Sequence, residues 1–192
     1  MGTSHSEPTA ASVHHWLGPA LPHPNQYRNP DPSSAPRPQW SVPSATPTTG
    51  YTRELLDIVA AIASTRGYTP EMSVTPDEVG AGRPAPFMCY RNAIALGVYP
   101  LSAMVKIGDT PSDIAEGRNA GMWTVAITRT GNEIGLPKRD WDALPPAEQK
   151  TLELAAAARL TAAGAQYVAA SLSECTPFLE DIEHRLATGE HP

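Results

Sequence analysis

Lysine is scarce in this sequence. Of 192 residues only Lys106, Lys138 and Lys150 carry an amine, and arginine brings the basic total to just 14 against 20 acidic residues. A mildly acidic chain without clustered basic residues argues against a nucleic-acid or anionic-membrane partner. Long hydrophobic runs are missing too. No uncharged apolar stretch of about 18 residues exists, so no helix is expected to span a membrane. The alanine-rich stretch from Leu154 to Ser171 is broken by Arg159, Gly164 and Gln166. The N-terminus lacks a basic segment followed by an apolar core, the pattern of a secretory signal. Cysteine is limited to Cys89 and Cys175. Two cysteines without an export signal read as reduced thiols in a cytoplasmic protein.

Proline is plentiful, with 21 residues, and ten of them fall within residues 1–50. Apolar residues there follow neither a helix nor a strand period. A proline every few residues forbids helix and spoils a strand ladder. Residues 1–46 are therefore expected to be a disordered, proline-rich leader. Residues 47–187 are expected to form a domain, with 188–192 as a tail.

Beyond residue 47 helical and strand patterns alternate. Thr52 suits the cap of a helix with apolar face Leu55, Leu56, Val59, Ile62 and Ala63, ending near Gly67. Met72–Val74 reads as a short strand. A helix from Pro84 carries Met88, Ala93, Ile94 and Leu96 and stops at Gly97. Ala103–Ile107 and Trp123–Thr128 are near-continuous apolar strands, the pattern of buried parallel strands. A helix runs from the Gly108–Asp113 turn to Asn119, and another from Pro146 to about Ala163. Tyr167–Ala170 reads as a strand and Leu179–Leu186 as a last helix. The alternation predicts an α/β fold with a parallel sheet and flanking helices. Ligands of such sheets bind beyond the carboxyl ends of the strands.

Chemistry concentrates in Lys-Ile-Gly-Asp-Thr-Pro-Ser-Asp113. Asp109 falls at a strand tip and Asp113 in the first turn of the next helix, both expected to face one crevice. Paired carboxylates there are the hard oxygen ligands that Mg²⁺ prefers. The same spacing also suits a capped turn and a carboxylate placed on the helix dipole. Arg83, between Gly82 and Pro84, is either a phosphoryl grip or a surface ion-pair partner. Thr48-Thr49-Gly50-Tyr51 precedes a helix and offers a hydroxyl and amides to an anion. Cys89 reads as a packing residue.

Several segments together resemble one family: Thr-Thr-Gly-Tyr-Thr-Arg53, Val-Thr-Pro-Asp77, Gly-Arg-Pro-Ala-Pro-Phe-Met-Cys-Tyr90, Lys-Ile-Gly-Asp-Thr-Pro-Ser-Asp113 and Glu-Gly-Arg-Asn-Ala-Gly-Met-Trp-Thr-Val125. They look like phosphonoacetaldehyde hydrolase (phosphonatase), of the haloacid dehalogenase superfamily. The likeness runs from about Thr48 to Leu186. It implies a Rossmann-like α/β core and Mg²⁺-dependent hydrolysis of the carbon–phosphorus bond of phosphonoacetaldehyde, giving acetaldehyde and phosphate in phosphonate catabolism. In that family a cap-domain lysine forms a Schiff base with the aldehyde, and an aspartate after the first strand attacks phosphorus. The resemblance implies Asp109 as a Mg²⁺ ligand and Asp113 as holder of the metal or its water. It implies Thr49 as a hydrogen-bond donor to the phosphoryl group, Arg83 as its positive partner and Tyr51 as a lining residue.

The sequence departs from the family ahead of Thr48. No apolar strand followed by Asp-x-Ala-Gly-Thr is present, and Asp31 is the only aspartate before Thr49. A cap domain is not evident. Lys106 lies within an apolar strand, and Lys138 and Lys150 follow the metal motif, so none is expected to form the imine. The expectation is a partial, truncated core that lacks nucleophile and cap, with the family's homodimerisation left open. The alternatives are a non-catalytic Mg²⁺- or phosphate-binding descendant, or another phosphatase of the superfamily.

Overall fold

In the computed structural model, residues 46–70 and 72–192 are described. Residues 1–45 of the expected leader, Asp31 among them, lie outside the described residues. The core is a three-stranded parallel sheet in the order β1 (Val105–Gly108), β2 (Trp123–Ile127), β3 (Tyr167–Ala169). Ile107 pairs with Val125, and Val125 with Tyr167. Each strand is linked to the next through helix: α3 (Pro111–Ala120) joins β1 to β2, and α4 (Lys138–Asp142) and α5 (Pro146–Ala162) join β2 to β3. Ahead of the sheet lie α1 (Arg53–Ser64) and α2 (Phe87–Leu96), and α6 (Thr176–Ala187) closes the fold.

The middle strand explains why the sequence reads as it does. All five residues of β2 are buried, so both of its faces must be filled. Trp123, Val125 and Ile127 point to one face and pack with Ala169, Cys175 and Ile182, bordered by Phe178 and Leu186 of α6. Ala126 points to the other face and meets Ile114 of α3 and Leu160 of α5. Thr124 shares that second face, where its N–H donates to Gln166 Oε1 at 2.7 Å and its hydroxyl lies 3.0 Å from the same oxygen. A third cluster, Cys89 with Ala120 and Met122, seats α2 beside α3.

The elements differ from expectation in four places. Met72–Val74 forms no strand; Val74 makes only a single parallel bridge, to Thr48. Thr48 leads at once into the Thr49–Tyr51 loop, so the pairing ends after one bridge. The helix expected from Pro84 begins at Phe87, because Gly82–Pro86 is spent on a turn. Ile94 on that helix is 79% exposed rather than part of the core. Between Arg129 and Pro146, expected to be all loop, lies the one-turn helix α4, whose Trp141 is buried.

Candidate active site at the carboxyl end of the sheet

β1 ends at Gly108, and the chain turns through Asp109 and Thr110 into α3. Thr110 is the N-cap: its hydroxyl accepts from the Asp113 N–H at 3.2 Å, and Asp113 Oδ2 accepts from the Thr110 N–H at 3.2 Å. This reciprocal cap fixes the first helical turn. It also pins the Asp113 carboxylate, which takes the Thr110 hydroxyl on Oδ2 at 2.6 Å. Gly108 has to be glycine, since a Cβ there would overlap the Asp113 side chain.

The other oxygen of Asp113 faces the positive charges of the site. Arg83 Nη1 donates to Oδ1, and Lys106 Nζ lies 3.5 Å from the same atom. Burial opposes ionisation of Asp113. The Thr110 hydroxyl and the charges of Lys106 and Arg83 together outweigh it and hold the carboxyl below the ordinary range. Lys106 is itself buried on β1 and pairs with Glu116 Oε2 at 2.6 Å. Glu116 is fully buried, and among the described residues its Oε1 has no hydrogen-bond partner. Burial, and then the nearby Glu116 charge, push the Cys89 thiol up to about 12, so Cys89 is inert as a nucleophile near neutral pH.

The structure thus joins Arg83 to Asp113, two residues singled out from the sequence. Asp109 turns elsewhere: its Oδ2 accepts from both the backbone N–H and the Nδ2 of Asn132, each at 2.9 Å. Its Oδ1 takes no hydrogen bond among the described residues. Thr49 is bonded locally, its hydroxyl oxygen accepting from the Tyr51 N–H at 3.2 Å. Tyr51 is 48% exposed. The Thr48–Tyr51 loop nevertheless reaches Arg83, because a Cβ on Gly50 would stand 2.7 Å from Arg83 Nη2.

Lys106, Glu116 and Thr48 belong to this cluster and were missed as a unit. One signal was available. A lysine inside an apolar strand requires a buried anion, and Glu116 lies three residues after Asp113 on the same helical face.

Asp109 and Asp113, the expected Mg²⁺ ligands, have separate hydrogen-bond partners. Asp113 has both oxygens engaged, which leaves Asp109 Oδ1 as the open carboxylate oxygen of the pair. Among the described residues no group of three or more His, Cys, Asp or Glu side chains is arranged to hold a metal. No helix among the described residues is long and apolar enough to cross a membrane.

No family model matches the chain. Individual proteins do. A phosphonoacetaldehyde hydrolase of Nitratidesulfovibrio vulgaris is 49% identical over 144 residues, which is 75% of this chain and 51% of that protein. One from Bacillus cereus is 48% identical over 136 residues, covering 71% of this chain and 52% of its own length. Among solved structures, a phosphonoacetaldehyde hydrolase-like protein from Oleispira antarctica superposes with a TM-score of 0.74 at 39% identity, covering 77% of this chain and 53% of that one. The chain therefore spans about half the length of the curated relatives it matches.

Proposed function

We propose that the chain belongs to the phosphonoacetaldehyde hydrolase family, as its relatives at 48–49% identity support, and that residues 47–187 form the phosphoryl- and Mg²⁺-holding core. The observation that carries this reading is the posture of Arg83. One guanidinium nitrogen is anchored on Asp113 and the other stands beside Gly50. A guanidinium held by a carboxylate keeps its orientation while its outer N–H groups remain available to phosphoryl oxygens.

Each site residue then has a task in hydrolysing phosphonoacetaldehyde to acetaldehyde and phosphate. Arg83 neutralises charge on the phosphoryl oxygens. The Thr49 hydroxyl, whose oxygen already accepts from Tyr51, keeps its own hydrogen to donate to the phosphoryl group. Tyr51 lines the approach. Asp109 would offer Oδ1 to Mg²⁺, and Asp113 would hold the metal or its water. Bound Mg²⁺ supplies electrostatic neutralisation of the phosphoryl group.

Imine formation falls to none of the described lysines. Lys106 is committed to Glu116, Lys138 is 86% exposed and pairs with Asp142, and Lys150 is exposed on α5. We propose accordingly that the 192-residue chain by itself releases acetaldehyde poorly or not at all while still binding inorganic phosphate with Mg²⁺. Calorimetric titration of phosphate in millimolar Mg²⁺, beside an acetaldehyde assay with borohydride to trap an imine, tests both halves. Phosphate binding that disappears in Arg83→Ala, with no acetaldehyde released, is the expected result. Turnover would show that a nucleophile is present, with Asp31 the first to replace. Failure of the wild type to bind phosphate would sink the reading. A melting temperature that rises with Mg²⁺ in the wild type and not in Asp109→Ala would support the assignment of the metal ligand.

A further inference from the structure

One ammonium group ties three segments together. Lys106 Nζ on β1 donates to Glu116 Oε2 of α3 at 2.6 Å and also to the Thr48 hydroxyl oxygen. Thr48 in turn donates to the same Glu116 oxygen at 3.0 Å. The three groups close a triangle in which the lysine side chain is 9% exposed and the glutamate side chain is wholly buried. Two of the three residues sit on elements already locked by the sheet and by the α3 cap. The third, Thr48, immediately precedes Thr49-Gly50-Tyr51.

That loop has few other ties to the sheet. Thr48 and Val74 form a lone backbone bridge, with the Val74 N–H donating to the Pro47 carbonyl at 3.2 Å. The Thr49 side chain bonds within the loop itself. Among the described residues, Thr48 Oγ1 is therefore the loop's side-chain tether to β1 and α3.

We propose that the Lys106–Glu116 pair acts through the Thr48 hydroxyl to position the phosphate loop against Arg83. Lys106, Glu116 and Thr48 are positioning residues; none of them touches the phosphoryl group. A buried ion pair is weak evidence of net stabilisation, because apolar residues of similar volume often serve as well. Beyond β1 and α3, the pair's hydrogen bonds run to Thr48, the residue that begins the loop, which is where a register device belongs. A displacement of the loop would change the spacing between the Thr49 hydroxyl and Arg83, and both donors are needed on one anion. The inference rests on the phosphate-binding reading above and deepens it.

Thr48→Val keeps the branched shape and leaves Lys106 paired with Glu116 while removing the tether. Inorganic phosphate, titrated calorimetrically in millimolar Mg²⁺, should bind the variant about tenfold more weakly, the scale of one lost hydrogen bond to a charged group. Amide hydrogen exchange at Gly50 and Tyr51 should speed up, with the rest of the sheet unchanged. Thr48→Ser retains the hydroxyl and should restore both. A purely structural role would lower the melting temperature without this local pattern. If the wild type binds phosphate, Arg83→Ala loses it and Thr48→Val matches the wild type in both affinity and exchange, the positioning role is overturned and the phosphate site stands. If the wild type takes no phosphate, both fall.

Discussion

Helices α1 and α3 start alike and end up in opposite surroundings. Each is capped by a threonine whose hydroxyl accepts from the third residue on, Leu55 for α1 and Asp113 for α3. By sequence α1 carries the apolar face, with Leu55, Leu56, Val59, Ile62 and Ala63, and α3 is the polar one, with Ile114 as its only large apolar residue. The structure reverses this. Only Leu56 of α1 is buried, while Ile58 is 62% and Ile62 is 54% exposed. In α3, Asp113, Ile114, Glu116, Gly117 and Ala120 are all buried. Apolar periodicity reports a face that needs covering; whether it is covered depends on what the rest of the molecule brings. Burial of a polar helix depends instead on finding a partner for each charge it carries inside.

The sharpest way to break the comparison is to strip α3 of its counter-charge. Lys106→Met leaves Glu116 buried without its cation, and removing one partner of a buried pair costs about 3–5 kcal/mol. Urea denaturation should show a loss of that order. The double variant Lys106→Met with Glu116→Leu should recover most of it, since the orphaned charge is gone. Equal stability of the single variant and the wild type would mean that the Lys106 partner is not what lets Glu116 sit inside the fold.

Backbone proximity is the second lever. A Cβ on Gly117 would lie 2.6 Å from Lys106 Cβ and 2.8 Å from Thr124 Cγ2, so the absence of a side chain lets α3 sit directly on β1 and β2. Gly117→Ala gains helix propensity but forces these atoms apart, at a cost of about 1–3 kcal/mol. Thermal melts should show a fall. A rise would mean that α3 does not approach the sheet this closely.

These two residues also show where sequence reading stopped. The three strands, the Thr52 cap and the Gly97 stop were legible because each is local: an apolar run, a hydroxyl before a helix, a glycine after one. Gly97 does adopt the left-handed conformation, at φ 63°. The Arg83–Asp113 pair was legible only as two separate candidates, since their 30-residue separation says nothing about contact. Lys106 was visible as an odd residue in a strand, yet its partners lie on α3 and in a loop that only the tertiary fold brings together. Asn132 as the partner of Asp109 left no pattern at all, because it comes from a loop beyond β2.

What holds α1 is polar, and weaker. Arg53 at its start donates to the Ser73 carbonyl at 2.8 Å and to Glu78 Oε2 at 2.6 Å. Glu78 also takes the Thr75 N–H at 2.8 Å. The Thr75 N–H first, and then Arg53, hold the Glu78 carboxyl below its ordinary range. A depressed carboxyl contributes stability that is present above its unfolded value, near ~4.3, and is lost as pH falls through the folded value. Glu78→Gln should therefore be less stable than the wild type near neutral pH, by under about 1 kcal/mol. The two melting curves should converge below about pH 4. A difference that persists unchanged into acid would assign the effect to packing rather than charge.

The smallest effect on stability belongs to the exposed face of α1. Ile58 and Ile62 lie one turn apart, and Val59, Ile62, Ala63, Arg66 and Tyr68 line a shallow depression beside them. Exposed positions without specific partners tolerate substitution to within about 0.5 kcal/mol. Ile58→Gln with Ile62→Gln should leave urea denaturation of the monomer nearly unchanged. Solution behaviour should change more, because contiguous exposed apolar side chains promote association. Sedimentation velocity should show less self-association in the double variant than in the wild type at equal concentration. A stability loss above about 2 kcal/mol would instead match the cost of uncovering buried aliphatic side chains. In that case α1 would be a covered helix after all, and its contrast with α3 would vanish.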